Sequence, residues 1–168
     1  MLIVMSGPPG AGKSHLAGRI ARALTVPVLS VDPVEVAMWR AGVGGPGGSL
    51  PTGLAAYVVV GALAEGVLAL GQSVLVDAVN AVEPAREQWR RLAARSGVPL
   101  RVVDVICSDA DLHRSRLEGR RRDLAGFPEP TWAQVSQATA PPWTDPHLRV
   151  DTADPADPLP VVLAHLGR

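Results

Sequence analysis

The sequence predicts an α/β fold: a parallel sheet with helices packed on both faces. Three observations predict it. Short apolar runs alternate with longer amphipathic segments along the whole chain. The first apolar run, Leu2 to Met5, shows no in–out alternation, as expected of a strand buried on both faces. A glycine-rich turn joins the first apolar run to the first amphipathic segment. At 168 residues, 47% hydrophobic and 19% charged, the chain can build a core and is too apolar to stay disordered. No repeat or linker divides it, so one domain over residues 1–168 is expected.

Leu2 to Met5 reads as the first strand. Lys13 to Leu24 follows as a helix, with Leu16, Ile20 and Leu24 on one face and Arg19 and Arg22 off it. Pro27 breaks the chain. Val28 to Val31 is the second strand, ending at Asp32-Pro33, and Val34 to Arg40 is helical. Ala41 to Gly53 holds six glycines and two prolines, which predicts a mobile loop. Leu54 to Leu70 is a nearly uninterrupted apolar helix. Ser73 to Val76 is the third strand, ending at Asp77. Glu83 to Ser96 is an amphipathic helix with Trp89 and Leu92 inward. Leu100 to Ile106 is the fourth strand. Ser108 and Asp111 suggest a capping box for a helix through Leu117. Gly119 to Pro130 is a basic loop, and Thr131 to Ala138 a short helix. Leu148 to Asp151 is the fifth strand, and Leu159 to Leu166 the closing helix.

Several function classes fall away. The formal net charge is zero, which disfavours a long nucleic-acid track or an anionic membrane surface. Cys107 is the single cysteine, so an intrachain disulfide or a Cys-rich zinc site is impossible, and a cytoplasmic location fits. The apolar N-terminal run is too short for a signal peptide and lacks a basic leader. Leu54 to Leu70 spans 17 residues and carries Glu65. A membrane span needs about 20 apolar residues, so the expectation is a buried core helix. The four histidines show no metal-ligand spacing and are expected at the surface.

One motif carries chemistry. Gly7-Pro8-Pro9-Gly10-Ala11-Gly12-Lys13-Ser14 fits G-x-x-x-x-G-K-[ST]. Glycines let the backbone close around phosphate oxygens with N–H groups inward, and the helix that follows adds the positive end of its dipole. Lys13 is then positioned for the β- and γ-phosphates of ATP, and the Ser14 hydroxyl for Mg²⁺. His15 lies one residue on. A preceding strand and a following helix supply the required context. The chain contains 15 arginines and a single lysine, and that lysine is Lys13. A guanine-reading Asn/Thr-Lys-x-Asp motif would need a second lysine.

The chain resembles the small P-loop phosphotransferases that include chloramphenicol phosphotransferase, the kinase domain of polynucleotide kinase, gluconate kinase and the zeta-toxin kinases, a group often classed generically as AAA family ATPases. The resemblance runs from Leu2 to Leu166. It rests on the P-loop, Val31-Asp32, Val74-Leu75-Val76-Asp77-Ala78-Val79-Asn80, and Arg116 to Arg122. It implies a three-layer P-loop nucleoside-triphosphate hydrolase fold, with a five-stranded parallel sheet in the order 2-3-1-4-5. It also implies an Arg-rich lid at about 118–130, which holds Arg120, Arg121 and Arg122.

For function, the resemblance implies a kinase moving the γ-phosphoryl group of Mg·ATP to a hydroxyl of a small molecule. Asp32 would be the general base, although an Asp before Pro33 also suits a helix N-cap. Asp77 would hold the Mg²⁺ shell together with Ser14, or would touch the acceptor. Asn80 and Arg86 match positions that reach the acceptor or its loop. Arg120 and then Arg116 are the arginines chosen to stabilise the transferring phosphoryl group. Thr152, in the loop after the last strand, would contact the nucleotide. Val36, Trp39, Tyr57 and Trp132 are candidates to line the acceptor pocket. Their apolar and aromatic character suits a nucleoside or natural product better than a sugar acid. A nucleic-acid-end or toxin-like kinase, and a nucleotide-binding regulatory ATPase, are the alternatives.

Overall fold

A computed structural model describes residues 1–45, 47–120 and 129–167. The strands are β1 (Leu2–Ser6), β2 (Val28–Ser30), β3 (Val74–Asp77), β4 (Leu100–Ile106) and β5 (His147–Asp151). They pair in parallel in the order β2-β3-β1-β4-β5, as expected. The helices are α1 (Lys13–Leu24), α2 (Val31–Arg40), α3 (Thr52–Ala69), α4 (Glu83–Arg95), α5 (Ala110–Glu118), α6 (Trp132–Gln137) and α7 (Leu159–His165).

Two-faced burial holds for β1 and β3, which are buried throughout, whereas the edge strands β2 and β5 are partly exposed. Successive residues of a strand point to opposite faces. Leu2 and Val4 therefore join Val74, Val76 and Val102 in a layer with Ala56, Val60, Ala64 and Trp89 from α3 and α4. Ile3 and Met5 join Leu75, Val103 and Val105 in the opposite layer, with Leu16 and Ile20 of α1 and Val162 of α7. Trp89 is fully buried.

Three boundaries differ from expectation, each for a local reason. Val31 and Asp32 do not extend β2. They form the first turn of α2, where Pro33 fits without a backbone donor. The expected cap at Ser108 is replaced by Asp109, whose side chain accepts from the Leu112 N–H. The capping box lies instead on α6, between Thr131 and Gln134. The loop expected to end at Gly53 is shorter, because Thr52 opens α3.

The helix α3 is not the all-round buried helix its composition suggests. It is 18 residues long and apolar enough by length and composition to cross a membrane. Ala56, Val60, Ala64 and Leu68 face the sheet. Leu54, Val58 and Leu63 on its other side are 63%, 59% and 50% exposed. Apolarity alone could not separate the two faces, because both carry the same residue types.

Two substitutions test the packing. Trp89→Ala should cost about 3–5 kcal/mol by removing a filled aromatic site. A Cβ at Gly66 meets nothing within 4 Å. Gly66→Ala should therefore stabilise by about 0.5–1 kcal/mol through helix propensity. Urea denaturation of both variants checks these signs.

Candidate functional site

The glycine-rich turn runs from the end of β1 into α1. Gly7, Gly10 and Gly12 have φ of 134°, 85° and 88°, values that disfavour any side chain. A Cβ at Gly7 would run into the carbonyl oxygen of Val105 on β4. Gly12 caps α1 with no side-chain hydrogen bond to the helix. The first-turn N–H groups thus have no side-chain cap and open onto the turn, as an anion site requires.

Neighbouring elements clamp the turn. The Gly7 N–H and the Ser6 hydroxyl both donate to the Val79 carbonyl, at 3.2 and 3.3 Å. His113 on α5 sits 2.8 Å from the Pro9 carbonyl through Nε2. Its ring meets Trp132 edge-on at 5.2 Å. His113 is buried, against the surface position expected for the histidines. Sequence spacing held no signal for this contact, since 104 residues separate the partners.

Lys13 and Asp77 meet at the mouth of the turn. The Lys13 Nζ lies 3.4 Å from Asp77 Oδ1, and both side chains are over nine-tenths buried. Oδ1 has no hydrogen-bond partner among the described residues. A buried carboxylate oxygen without a donor is costly. It suits a site whose remaining partner is a cation shell. Ser14 is exposed one residue beyond Lys13. This pair of oxygen donors fits Mg²⁺, which takes few protein ligands and keeps its waters.

Asp32 reaches the same neighbourhood from α2. Ser30 pairs with Asp77 across the sheet, and Asp32 lies two residues on. Tyr57 of α3 senses both acids. Burial pushes its hydroxyl pKa upward, and the charges of Asp32 and Asp77 push it the same way. The Asn80 N–H donating to the phenolic oxygen opposes them.

A cleft of about 490 Å³ opens beside the turn. Gly10, Gly12, Lys13, Ser14, His15, Arg116, Arg120 and Thr152 line it, with Pro8 at the edge. Thr152 ties the turn to the sheet. Its hydroxyl contacts the Ala11 and Ile106 carbonyls at 2.8 and 3.1 Å. Arg116 donates to the Thr152 hydroxyl and carbonyl at 2.8 and 3.2 Å. The Arg120 guanidinium lies 3.5 Å from Glu129. Asp151, at the end of β5, accepts from the Ser108 and Ala153 N–H groups; the Ser108 side chain first, then these N–H groups, hold its carboxyl below the usual range. The Arg121, Arg122 and Gly126 to Pro128 stretch of the expected lid lies outside the described residues.

Four expected acceptor contacts are used internally. Val36 is fully buried. Trp39 donates to Thr52, which donates to Glu35. The Asn80 amide donates to the Met5 carbonyl at 2.8 Å and its oxygen accepts from Trp89. Arg86 donates to the carbonyls of Asn80, Pro141 and Pro142 and lies over the Trp143 ring. Sequence reading found these positions but not the burial of Val36 or the internal hydrogen bonds of Trp39, Asn80 and Arg86.

Strand order, open helix terminus and phosphate-sized turn define a P-loop nucleotide-binding fold. The family profile described as AAA domain matches residues 2–142, and the chain belongs to that family. No curated protein sequence matches it. Among solved structures, a kinase candidate from Chloroflexus aurantiacus superposes with a TM-score of 0.80 at 23% identity, covering 99% of this chain and 96% of that one. Chaetomium thermophilum Kti12 in complex with ADP-AlF3 gives 0.75 at 18% identity, covering 99% and 97%. Mycobacterium tuberculosis APS kinase CysC in complex with AMPPNP and APS gives 0.71 at 20% identity, covering 99% and 97%. At these identities the likeness concerns the fold.

Gly7→Ala tests the turn. Positive φ and the Val105 clash should cost more than about 1 kcal/mol. The variant should also lose binding of a fluorescent ATP analogue, read by anisotropy, while Gly66→Ala keeps it.

Proposed function

We propose that the chain is a phosphotransferase that moves the γ-phosphoryl group of ATP to a hydroxyl of a small molecule. The observation that carries this reading is the Lys13–Asp77 pair at the mouth of the glycine turn, with Asp32 close enough to act on the same tyrosine. A binding module needs the turn and the lysine. It does not need a second carboxylate on the acceptor side.

In this reading the Gly7–Ser14 backbone cradles the β-phosphate, and Lys13 exchanges Asp77 for phosphate oxygens when ATP enters. Ser14 and Asp77 would hold Mg²⁺, which would supply charge neutralisation at the phosphates. Asp32 accepts the proton of the acceptor hydroxyl as its oxygen bonds to the γ-phosphorus. The bond to the bridging oxygen breaks, and ADP leaves. Arg116, hydrogen-bonded to Thr152, braces the nucleotide side. Arg120, at the lid's root, supplies positive charge to the transferring group. The lid at about 118–130 and the loop at about 41–53 close over the pocket, within one domain over residues 1–168. APS kinase is similar in fold, and its structure holds AMPPNP together with APS, which supports a small-molecule acceptor.

Transfer from γ-labelled ATP to a panel of nucleosides, hydroxylated antibiotics, sugar acids and oligonucleotide 5′ ends tests the proposal. Asp32→Ala should lower transfer by roughly 10²–10⁴-fold, the range for a lost general base, with ATP affinity retained. Lys13→Ala should lose both. Label released only as free phosphate, equally from wild type and Asp32→Ala, would reduce the chain to a nucleotide hydrolase.

A further inference from the structure

A second cavity, of about 360 Å³, shares a single lining residue, Pro8, with the nucleotide cleft. It is bounded by Ser6 to Pro9, the Val79–Ala81 loop, and the stretch from Pro130 to Trp143. Asp32, Asp77 and Lys13 do not line it, so a hydroxyl poised for phosphoryl transfer has no place there. Ile106, Val135, Pro141 and Trp143 give it apolar walls. Ala138 and Ala140, also in the lining, are exposed and mark its mouth.

Three charged side chains line the cavity: Arg86, Asp104 and Arg149. Arg149 approaches Asp104 Oδ2 through Nε and Nη2, at 3.2 and 3.1 Å, and those two charges cancel. Arg86 is left over. It is 2% exposed. Its Nε, Nη1 and Nη2 donate to the carbonyls of Asn80, Pro142 and Pro141, and its guanidinium lies 4.7 Å from the centre of the Trp143 ring. Carbonyls and a ring solvate a cation but carry no formal charge to neutralise it. Among the described residues no carboxylate pairs with Arg86, and one N–H on each Nη is uncommitted.

A buried charge without a counter-charge is costly. The lining thus carries one net positive charge inside mostly apolar walls. It repels an ammonium ion, and a neutral donor leaves the charge unmatched. A single negative charge on an apolar body matches it. A guanidinium favours a carboxylate, which its N–H groups meet with charge-assisted hydrogen bonds. We propose that this cavity is a binding site for a small monoanionic carboxylate with an apolar body, separate from the nucleotide and from the acceptor. The body packs on Ile106, Val135 and Trp143, and the carboxylate faces Arg86 with Arg149 beside it. The inference goes beyond the phosphotransferase reading and does not depend on it.

Benzoate, acetate, benzyl alcohol and benzylamine separate charge from apolar body. Each is titrated into the full chain, with and without saturating ADP and Mg²⁺, and the Trp143 indole N–H signal is followed by ¹H–¹⁵N NMR. Benzoate should give saturable shifts with the same affinity in both states, because the nucleotide cleft is a different cavity. The other three probes should bind at least about tenfold more weakly, each lacking the charge or the ring. Two variants should move benzoate affinity in opposite directions. Arg149→Gln takes the net lining charge to zero and should weaken binding about tenfold; Asp104→Asn adds one positive charge and should tighten it at least about threefold. Damage to the fold would weaken binding in both, so the opposed signs report the charge of the cavity. No benzoate binding, equal binding of any other probe, competition between benzoate and ADP, or failure of either variant to shift in its stated direction would overturn the inference.

Discussion

The site depends on the backbone of one residue. Asn80 is fully buried and holds φ at 53°, a conformation that asparagine tolerates better than most side chains. That bend turns the chain after β3 back under the glycine turn. The Val79 carbonyl then receives the Gly7 N–H and the Ser6 hydroxyl. The Asn80 side chain bonds Met5 on β1 and Trp89 on α4, while its N–H and carbonyl engage Tyr57 and Arg86. Every polar group of this residue is used in joining β1, β3, α3 and α4. A phosphate-binding turn must keep its N–H groups aimed inward before any ligand arrives. The network fixes the limb of the turn from which those groups project.

The electrostatic design follows from scarcity of partners. Lys13 is buried, and without phosphate its nearest counter-charge is Asp77. Among the described residues, the geometry leaves one carboxylate oxygen of Asp77 with no hydrogen bond. Such a pair is stable enough to fold yet incompletely satisfied. Entry of a polyanion with its counter-cation would satisfy both members at once, the lysine by phosphate and the acid by the cation's shell. Arg86 and Arg116 are spent differently. They hold carbonyls and Thr152, so they shape the walls of the site.

The sheet and the phosphate turn were legible because each leaves a local signature. Apolar runs of four or five residues, and glycines at fixed spacing before Gly12-Lys13-Ser14, are read without knowing the tertiary structure. Asp77 was legible because it ends such a run. What escaped reading depends on contacts distant in sequence. His113 reaches Pro9 across 104 positions. Arg86 stacks on Trp143 and bonds the adjacent prolines, 55 and 56 positions away. Asp104 sits in a run that reads as ordinary buried strand, and only the sheet register places it beside Arg149. Asp32 shows the intermediate case: its neighbourhood was foreseen, whereas its place in the first turn of α2 rather than at a strand end was set by Pro33.

That helical placement bears on how an acceptor would be activated. The first turn of α2 holds Asp32 within electrostatic reach of Tyr57, as Asp77 also is. Tyr57, packed on Trp89 at 6.0 Å between ring centroids, supplies a low-dielectric wall beside Asp32 and Asp77. As a hydroxyl begins to bond to phosphorus its acidity rises, and a modest base is then sufficient. On the proposed phosphotransferase reading, the proton would leave late, driven by bond formation at phosphorus more than by the strength of the base.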